Sequence, residues 1–238
     1  MSDYYALISR LDNRIGDIIE TLKKEGLFEN TIIVYAADNG LAIGSHGLLG
    51  KQDLYEHSMK VPLIISGPGI PKNEVSDALV YLYDIFPTLS DLCELSTPDG
   101  IDGKDLIPVL MGKEKAVRSS LYTAYRNTAR AVRTDEWKFI RYPRRNYSQL
   151  FNLKNDPLEI NNLAALPENK TKVDEMMALL NEWHTLTNDT ATMNPGNFLP
   201  MEYDYKKLKQ KPDVHQPEYT LKKYFKDVDL EKIKKLVH

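Results

Sequence analysis

The chain has almost no cysteine: Cys93 is the single one in 238 residues. It therefore forms no internal disulfide and supplies no cysteine-cluster zinc site. Long hydrophobic runs are missing as well. The longest, Ile32 to Ala37 and Val61 to Ile65, fall far short of the ~20 residues of a membrane-spanning helix, so no span is expected. Excess charge of either sign is lacking, with 31 Lys and Arg against 34 Asp and Glu and a formal net charge of -3. A nucleic-acid binder usually carries a strong basic excess, so no nucleic-acid partner is expected. Met1 to Ser9 has neither a basic flank nor an apolar centre, and no export signal is read there. What is present is ordinary globular composition, 42% hydrophobic and 27% charged, enough for one large domain or two small ones.

Tyr4, Ile8, Leu11, Ile15, Ile18 and Leu22 recur at steps of three and four, which places them on one face of a helix over residues 4–24. Ser2 can cap its start and Gly26 marks its stop. Thr31 to Ala37 is short, β-branched and apolar throughout. That is the pattern of a buried strand in a mainly parallel or mixed sheet, with the helix packed on it. Asp38-Asn39-Gly40 follows at its C-terminal end, where ligands bind in open α/β sheets.

Val61 to Ser66 reads as a second strand, Ala78 to Leu82 as a third, and Asp84 to Leu95 as a helix with Pro87 in its first turn. Ile101 to Gly112 is irregular, and a short helix follows. From Arg118 the pattern changes. Leu121 to Arg126, Ala129 to Arg133, Trp137 to Tyr142 and Gln149 to Leu153 alternate in part between turn-like residues, as in an antiparallel meander. Pro167 to Leu186 is a helix with Val173, Met176, Met177, Leu180 and Trp183 on one side. After Thr187 little periodicity remains, and a surface-wrapping tail with a short helix from about Leu230 is expected. The class is α/β, divided at 1–117, 118–187 and 188–238.

Candidate chemistry is concentrated in Asp38 to Lys60, which holds Asp38, Asn39, His46, Lys51, Glu56 and His57 among Gly40, Gly44, Gly47 and Gly50. A carboxylate and an amide oxygen are hard ligands that suit calcium or magnesium better than zinc. The glycines let backbone approach a small ligand. Lys51 is a mobile point charge for an anion, and His46 can donate a proton or a hydrogen bond near neutral pH. Asp-Asn-Gly by itself is a common turn. What sets this one apart is its place at a strand end, ahead of a glycine-rich loop with His and Lys. His57 on a short helix reads as structural or rim-facing, and His184 beside Trp183 as packing. Arg141, Arg144 and Arg145, with Tyr142 and Tyr147 interleaved, read as a solvated rim or a subsite for anionic groups of a sulfated sugar. Three glycosylation-type triplets, at Asn146, Asn169 and Asn188, are of a kind that arises often by chance.

Several stretches resemble the C-terminal half of the type I, formylglycine-dependent sulfatases of the alkaline phosphatase superfamily. They are Asp38-Asn39-Gly40, Gly44-Ser45-His46-Gly47, Gly50-Lys51, Leu54-Tyr55-Glu56 and Val61-Pro62-Leu63-Ile64. In the family's order follow Asp84-Ile85-Phe86-Pro87-Thr88, Ile101 to Leu106, Arg130 to Ile140, and Leu150 to Leu163 with its Asp156-Pro157-Leu158-Glu159. The resemblance covers residues 4 to 185. It leans toward choline-sulfatase-like and bacterial carbohydrate sulfatases more than animal arylsulfatases.

The resemblance implies a partial alkaline-phosphatase-like sheet with helices, followed by a small antiparallel sheet plus helix. It also implies hydrolysis of a sulfate monoester on a small molecule or carbohydrate. Asp38 and Asn39 would be two ligands of one divalent metal, calcium in most of the family. Lys51 and His46 would be the catalytic groups, Lys51 contacting the sulfate, and Lys51, His46 and His57 would line the substrate site. The family's formylglycine arises in a C/S-x-P-S-R motif, which this sequence lacks; Cys93 stands in Leu-Cys-Glu-Leu-Ser. The family's paired N-terminal aspartates, and the lysine and histidine upstream, are missing too. This implies that a first half of the catalytic domain is a required partner and that the chain alone is inactive. Family members are often periplasmic, secreted or lysosomal. A phosphonate or phosphate ester hydrolase of the same superfamily, or a non-catalytic pseudo-sulfatase module, is the alternative.

Overall fold

Helix α1 runs over Ser2–Lys24. Gly26 ends it at φ 69°, a left-handed conformation that glycine adopts freely. The Gly26 N–H bonds the Lys23 carbonyl, and the Leu27 N–H reaches back to Leu22, so two helix-end acceptors are satisfied. The computed structural model describes residues 2–202 together with Tyr219, Lys222 and Lys223. Next come β1 (Ile33–Ala36), a hairpin of two-residue strands β2 (Ala42–Ile43) and β3 (Leu49–Gly50), the short helix α2 (Glu56–Met59) and β4 (Leu63–Ser66).

Three sequence expectations need correction here. First, β1 pairs with β4 antiparallel, Ile33 opposite Ser66 and Ala36 opposite Leu63. Second, β1 is not enclosed: Tyr35 and Ala36 are exposed, and no residue of α1 is buried. Ile8, Leu11 and Ile18 on the apolar face of α1 are 46%, 53% and 63% exposed. An all-apolar strand needs cover on both faces, and the described residues do not supply it. Third, Ala78 to Leu82 forms no ladder. The Tyr81 hydroxyl donates to the Tyr122 carbonyl and accepts the Tyr122 N–H, doing by side chain what a strand partner would do by backbone.

Helix α3 (Ile85–Leu92) follows a turn of 3-10 helix over Leu82–Asp84. Asp84 is fully buried and accepts the N–H groups of Tyr81 and Lys104 and two guanidinium N–H groups of Arg118. Thr88 donates to the Asp84 carbonyl and accepts the Leu106 N–H. A Cβ on Gly103 would sit 2.5 Å from the Tyr83 carbonyl oxygen, so this crossing admits only glycine. The sulfatase-like stretches at Asp84 to Thr88 and Gly103 to Leu106 are thus two sides of one clamp. Helix α4 (Ile107–Leu110) lies inside the stretch expected to be irregular.

The meander forms as β5 (Leu121–Tyr125), β6 (Ala129–Arg133), β7 (Trp137–Tyr142) and β8 (Tyr147–Asn152), antiparallel in that order. Val132, Phe139 and Leu150 line one face and pack on Met176 and Leu180 of α5 (Lys170–Leu186). Ala131, Ile140 and Phe151 line the other and pack on Leu54. Burying side chains of this size contributes about 1.5–3 kcal/mol each. Asn162 covers the edge of β8 by accepting the Leu150 N–H. Asp189 accepts from Arg130 and from the Tyr122 hydroxyl, which pins the chain after α5 to the sheet. The Arg130 hydrogen bond holds its carboxyl well below the usual range.

Contacts divide the chain into Met1–Phe198 and Leu199–His238. In the second unit Tyr219, Lys222 and Lys223 are helical, and the helix expected from Leu230 lies outside the described residues. Among the described residues no helix is long and apolar enough to cross a membrane.

Candidate functional site

The Asp38-Asn39-Gly40 turn leaves β1 and crosses the backbone of α2. Gly40 donates its N–H to the Ser58 carbonyl at 2.9 Å. A Cβ on Gly40 would lie 1.9 Å from the His57 carbonyl oxygen, a backbone atom that cannot swing aside. Gly40→Ala is therefore expected to destabilise the protein by about 1–3 kcal/mol, as overpacking does. Thermal melting should show a fall of roughly 2–12 °C. An unshifted melting temperature would mean that turn and helix separate freely.

The β2–β3 hairpin, with Ala42 opposite Gly50, brings the chain back to this turn. Lys51 Nζ donates to Asn39 Oδ1 at 2.9 Å, and the Asn39 amide donates to the Gly40 carbonyl. Asn39 and Lys51 are thus together, with Asp38 next to them at the exposed end of the turn.

His46 sits at the hairpin tip with φ 54°. Its Nε2 lies 3.0 Å from the Leu158 carbonyl, and its ring stacks on Tyr55 at 4.0 Å between centroids and 7° between planes. His57 is close, 5.6 Å from His46 by centroids. Its Nε2 is held at 3.1 Å by Asp53, which also accepts the Ser58 hydroxyl and the Tyr55 N–H. The two histidines meet, each with one nitrogen engaged by protein. The Tyr55 hydroxyl exchanges hydrogen bonds with Gln149, and burial raises its pKa.

Beneath lies a charge cluster that the sequence does not advertise. Lys138, on β7 and 2% exposed, pairs with Glu56 and Glu159 at 3.0 Å each. Arg133 also reaches Glu56, at 3.3 Å. Burial pushes the Glu56 carboxyl up, but Lys138 and Arg133 outweigh it and hold the group below its ordinary value. For Glu159, burial prevails over Lys138 and the pKa is raised. Asp53 has a sequence signal, its spacing of four from His57. Lys138 and Glu159 have none, since isolated charged residues read as solvent-facing.

Calcium prefers about six to eight oxygen ligands. Asp38 and Asn39 bring two, and the Asn39 oxygen already accepts from Lys51. Among the described residues no group of three or more His, Cys, Asp or Glu side chains could hold a metal ion. These residues alone therefore do not make a calcium site.

With its strand ending in Asp-Asn, a lysine folded back onto it and a four-stranded antiparallel sheet backed by a helix, the chain matches the C-terminal part of sulfatases of the alkaline-phosphatase-like fold. Residues 44–185 match the family described as N-sulphoglucosamine sulphohydrolase, C-terminal, and the chain belongs to that family. Arylsulfatase K of Gallus gallus is 31% identical over 215 residues, covering 82% of this chain and 39% of that protein. Choline-sulfatase of Rhizobium meliloti is 36% identical over 170 residues, with coverage of 69% and 33%.

Among solved structures, one in complex with its substrate D-glucosamine-2-N,6-O-disulfate superposes with a TM-score of 0.70 at 31% identity. The match covers 77% of this chain and 40% of that one. A phosphonate monoester hydrolase of Agrobacterium radiobacter reaches 0.66 at 26%, covering 76% and 41%. The chain thus spans between a third and two fifths of the length of these relatives.

Proposed function

We propose that this chain supplies the C-terminal part of a hydrolase of sulfate monoesters, acting on a sulfated carbohydrate or small molecule. The observation that carries this reading is the Lys51–Asn39 contact at 2.9 Å beside Asp38, at the end of β1. It brings an ammonium group to two side chains with oxygen donors at one strand end. Lys51 would offset charge on the sulfate oxygens as the S–O bond breaks. Asp38 and Asn39 would give two oxygens to a divalent metal, calcium by ligand type, with the remaining ligands coming from outside this chain. Such a metal, when bound, adds Lewis-acid polarisation of the ester. His46 and His57 would face the substrate beyond the sulfate.

The nucleophile has to come from elsewhere, because the formylglycine motif is absent from this sequence. The exposed apolar faces of α1, β1 and β4 are where the complementary part of the catalytic domain would pack. The chain alone, with calcium and a chromogenic aryl sulfate, should show no turnover above background. Joined to an N-terminal sulfatase segment carrying C/S-x-P-S-R, it should hydrolyse that ester. Robust turnover by the isolated chain would overturn the reading. The similarity to phosphonate monoester hydrolases favours a second reading, and an aryl phosphonate offered to the same completed enzyme separates the two. Faster phosphonate cleavage would replace the sulfatase assignment. Absence of an in-frame or neighbouring C/S-x-P-S-R segment in the DNA upstream of Met1 would favour a non-catalytic module.

A further inference from the structure

The His46 ring is held in a specific way. A carbonyl oxygen only accepts hydrogen bonds, so the 3.0 Å contact between Nε2 and Leu158 places the ring proton on Nε2. In the neutral ring, Nδ1 then carries a lone pair, and among the described residues nothing bonds it. One ring face is covered by Tyr55 at 4.0 Å. The Leu158 carbonyl lies in a turn closed by Asp156, which accepts the N–H groups of Glu159, Ile160 and Asn161, and the side chain of Glu159 anchors that turn to the sheet. Glu159 is 2% exposed and lies at φ 57°, a left-handed conformation that a non-glycine residue keeps only where its surroundings hold it there. Its carboxylate accepts the Glu56 N–H at 2.6 Å and pairs with Lys138 at 3.0 Å. Three segments far apart in sequence thus converge behind one hydrogen bond to His46.

We infer that Glu159 is a positioning residue: through the Leu158 carbonyl it fixes His46 as the Nε2–H tautomer, so that Nδ1 is presented as a hydrogen-bond acceptor. An acceptor suits a hydroxyl of the alcohol or sugar part of a substrate. It does not suit a sulfate oxygen, which is itself an acceptor. His46 then reads the group that carries the ester, while Lys51 faces the anion. That division of roles rests on the proposed function; the tautomer and its control by Glu159 do not.

The test is the long-range proton–nitrogen NMR spectrum of the whole chain with labelled histidine, at a pH where the rings are neutral. His46 should show one protonated nitrogen, Nε2, and an unprotonated Nδ1. Glu159→Gln keeps the shape but removes the charge facing Lys138, and should convert His46 to a mixture of tautomers. Glu159→Asp should restore the Nε2–H form in large part. Asp53 holds His57 independently, so the His57 signals should stay fixed in both variants. A wild-type His46 protonated on Nδ1, or averaging between the two, overturns the inference even if no variant folds. So does an unchanged His46 in a folded Glu159→Gln. A shift common to His46 and His57 would mark general loosening and would also count against it. None of these readings depends on turnover, so failure of the sulfatase assignment remains a separate result.

Discussion

Arg118→Met should destabilise the protein by about 3–5 kcal/mol, the cost of leaving a buried charge without its partner. Asp84 has no solvent-exposed surface, and Arg118 is 6% exposed at the side chain. The guanidinium grips both carboxylate oxygens, donates to the Leu79 carbonyl and lies 4.9 Å from the Tyr81 ring centroid. Methionine replaces the volume but none of the five donors. The carboxylate would retain only the Tyr81 and Lys104 N–H groups. Because those bonds set the start of α3 and the Gly103 crossing, the loss should spread to both. At roughly 2–4 °C per kcal/mol for a chain of this size, melting should fall by about 6–20 °C. Arg118→Met combined with Asp84→Leu should recover part of the loss, since an apolar pair removes the orphaned charge. A double variant as unstable as the single one would show that Asp84 acts through its backbone-capping bonds rather than its charge.

The parts of this fold legible in the sequence are those with a clear helical period or with strands bounded by clear turns. Helix α1 carries six apolar residues at helical spacing, and strands β5 to β7 fall at the expected places because each lies between clear turns. The orientation of β1 was not legible. An apolar run fits either a parallel or an antiparallel neighbour, and the choice depends on β4, nearly thirty residues on. Ala78 to Leu82 misleads because a tyrosine side chain, not a strand, satisfies its neighbour. The hairpin of two-residue strands is too short to leave a period. At the site, the approach of Lys51 to Asn39 could be foreseen, since a loop of eleven residues rich in glycine closes readily. The charge cluster could not. Lys138 lies 82 residues from Glu56 and 21 from Glu159, and nothing local in Trp-Lys-Phe-Ile marks that lysine as buried.

Lys51→Ala, in an enzyme completed by the N-terminal part, should lower turnover of sulfate esters by about 10²–10³-fold, the usual loss when one fixed charge-stabilising group is removed. The physical reason lies in what Lys51 does when no substrate is present. Its ammonium is exposed and its hydrogen bond goes to the neutral Asn39 amide, not to a carboxylate. That bond orients the cation at the strand end without neutralising it. An exposed hydrogen bond of this kind adds at most about 1 kcal/mol to stability, so the variant should melt within a few degrees of the parent. The two readouts separate the roles of this lysine. A large fall in kcat with an unchanged melting temperature places it on the sulfate, whereas a lower melting temperature with an unchanged rate makes it a structural tie for the Asp38-Asn39 turn. Lys51→Arg should restore only part of the rate, because a planar guanidinium cannot stand in for a compact ammonium at the same point. Full activity in Lys51→Ala would remove the lysine from the reaction, and with it the observation on which the proposed function rests.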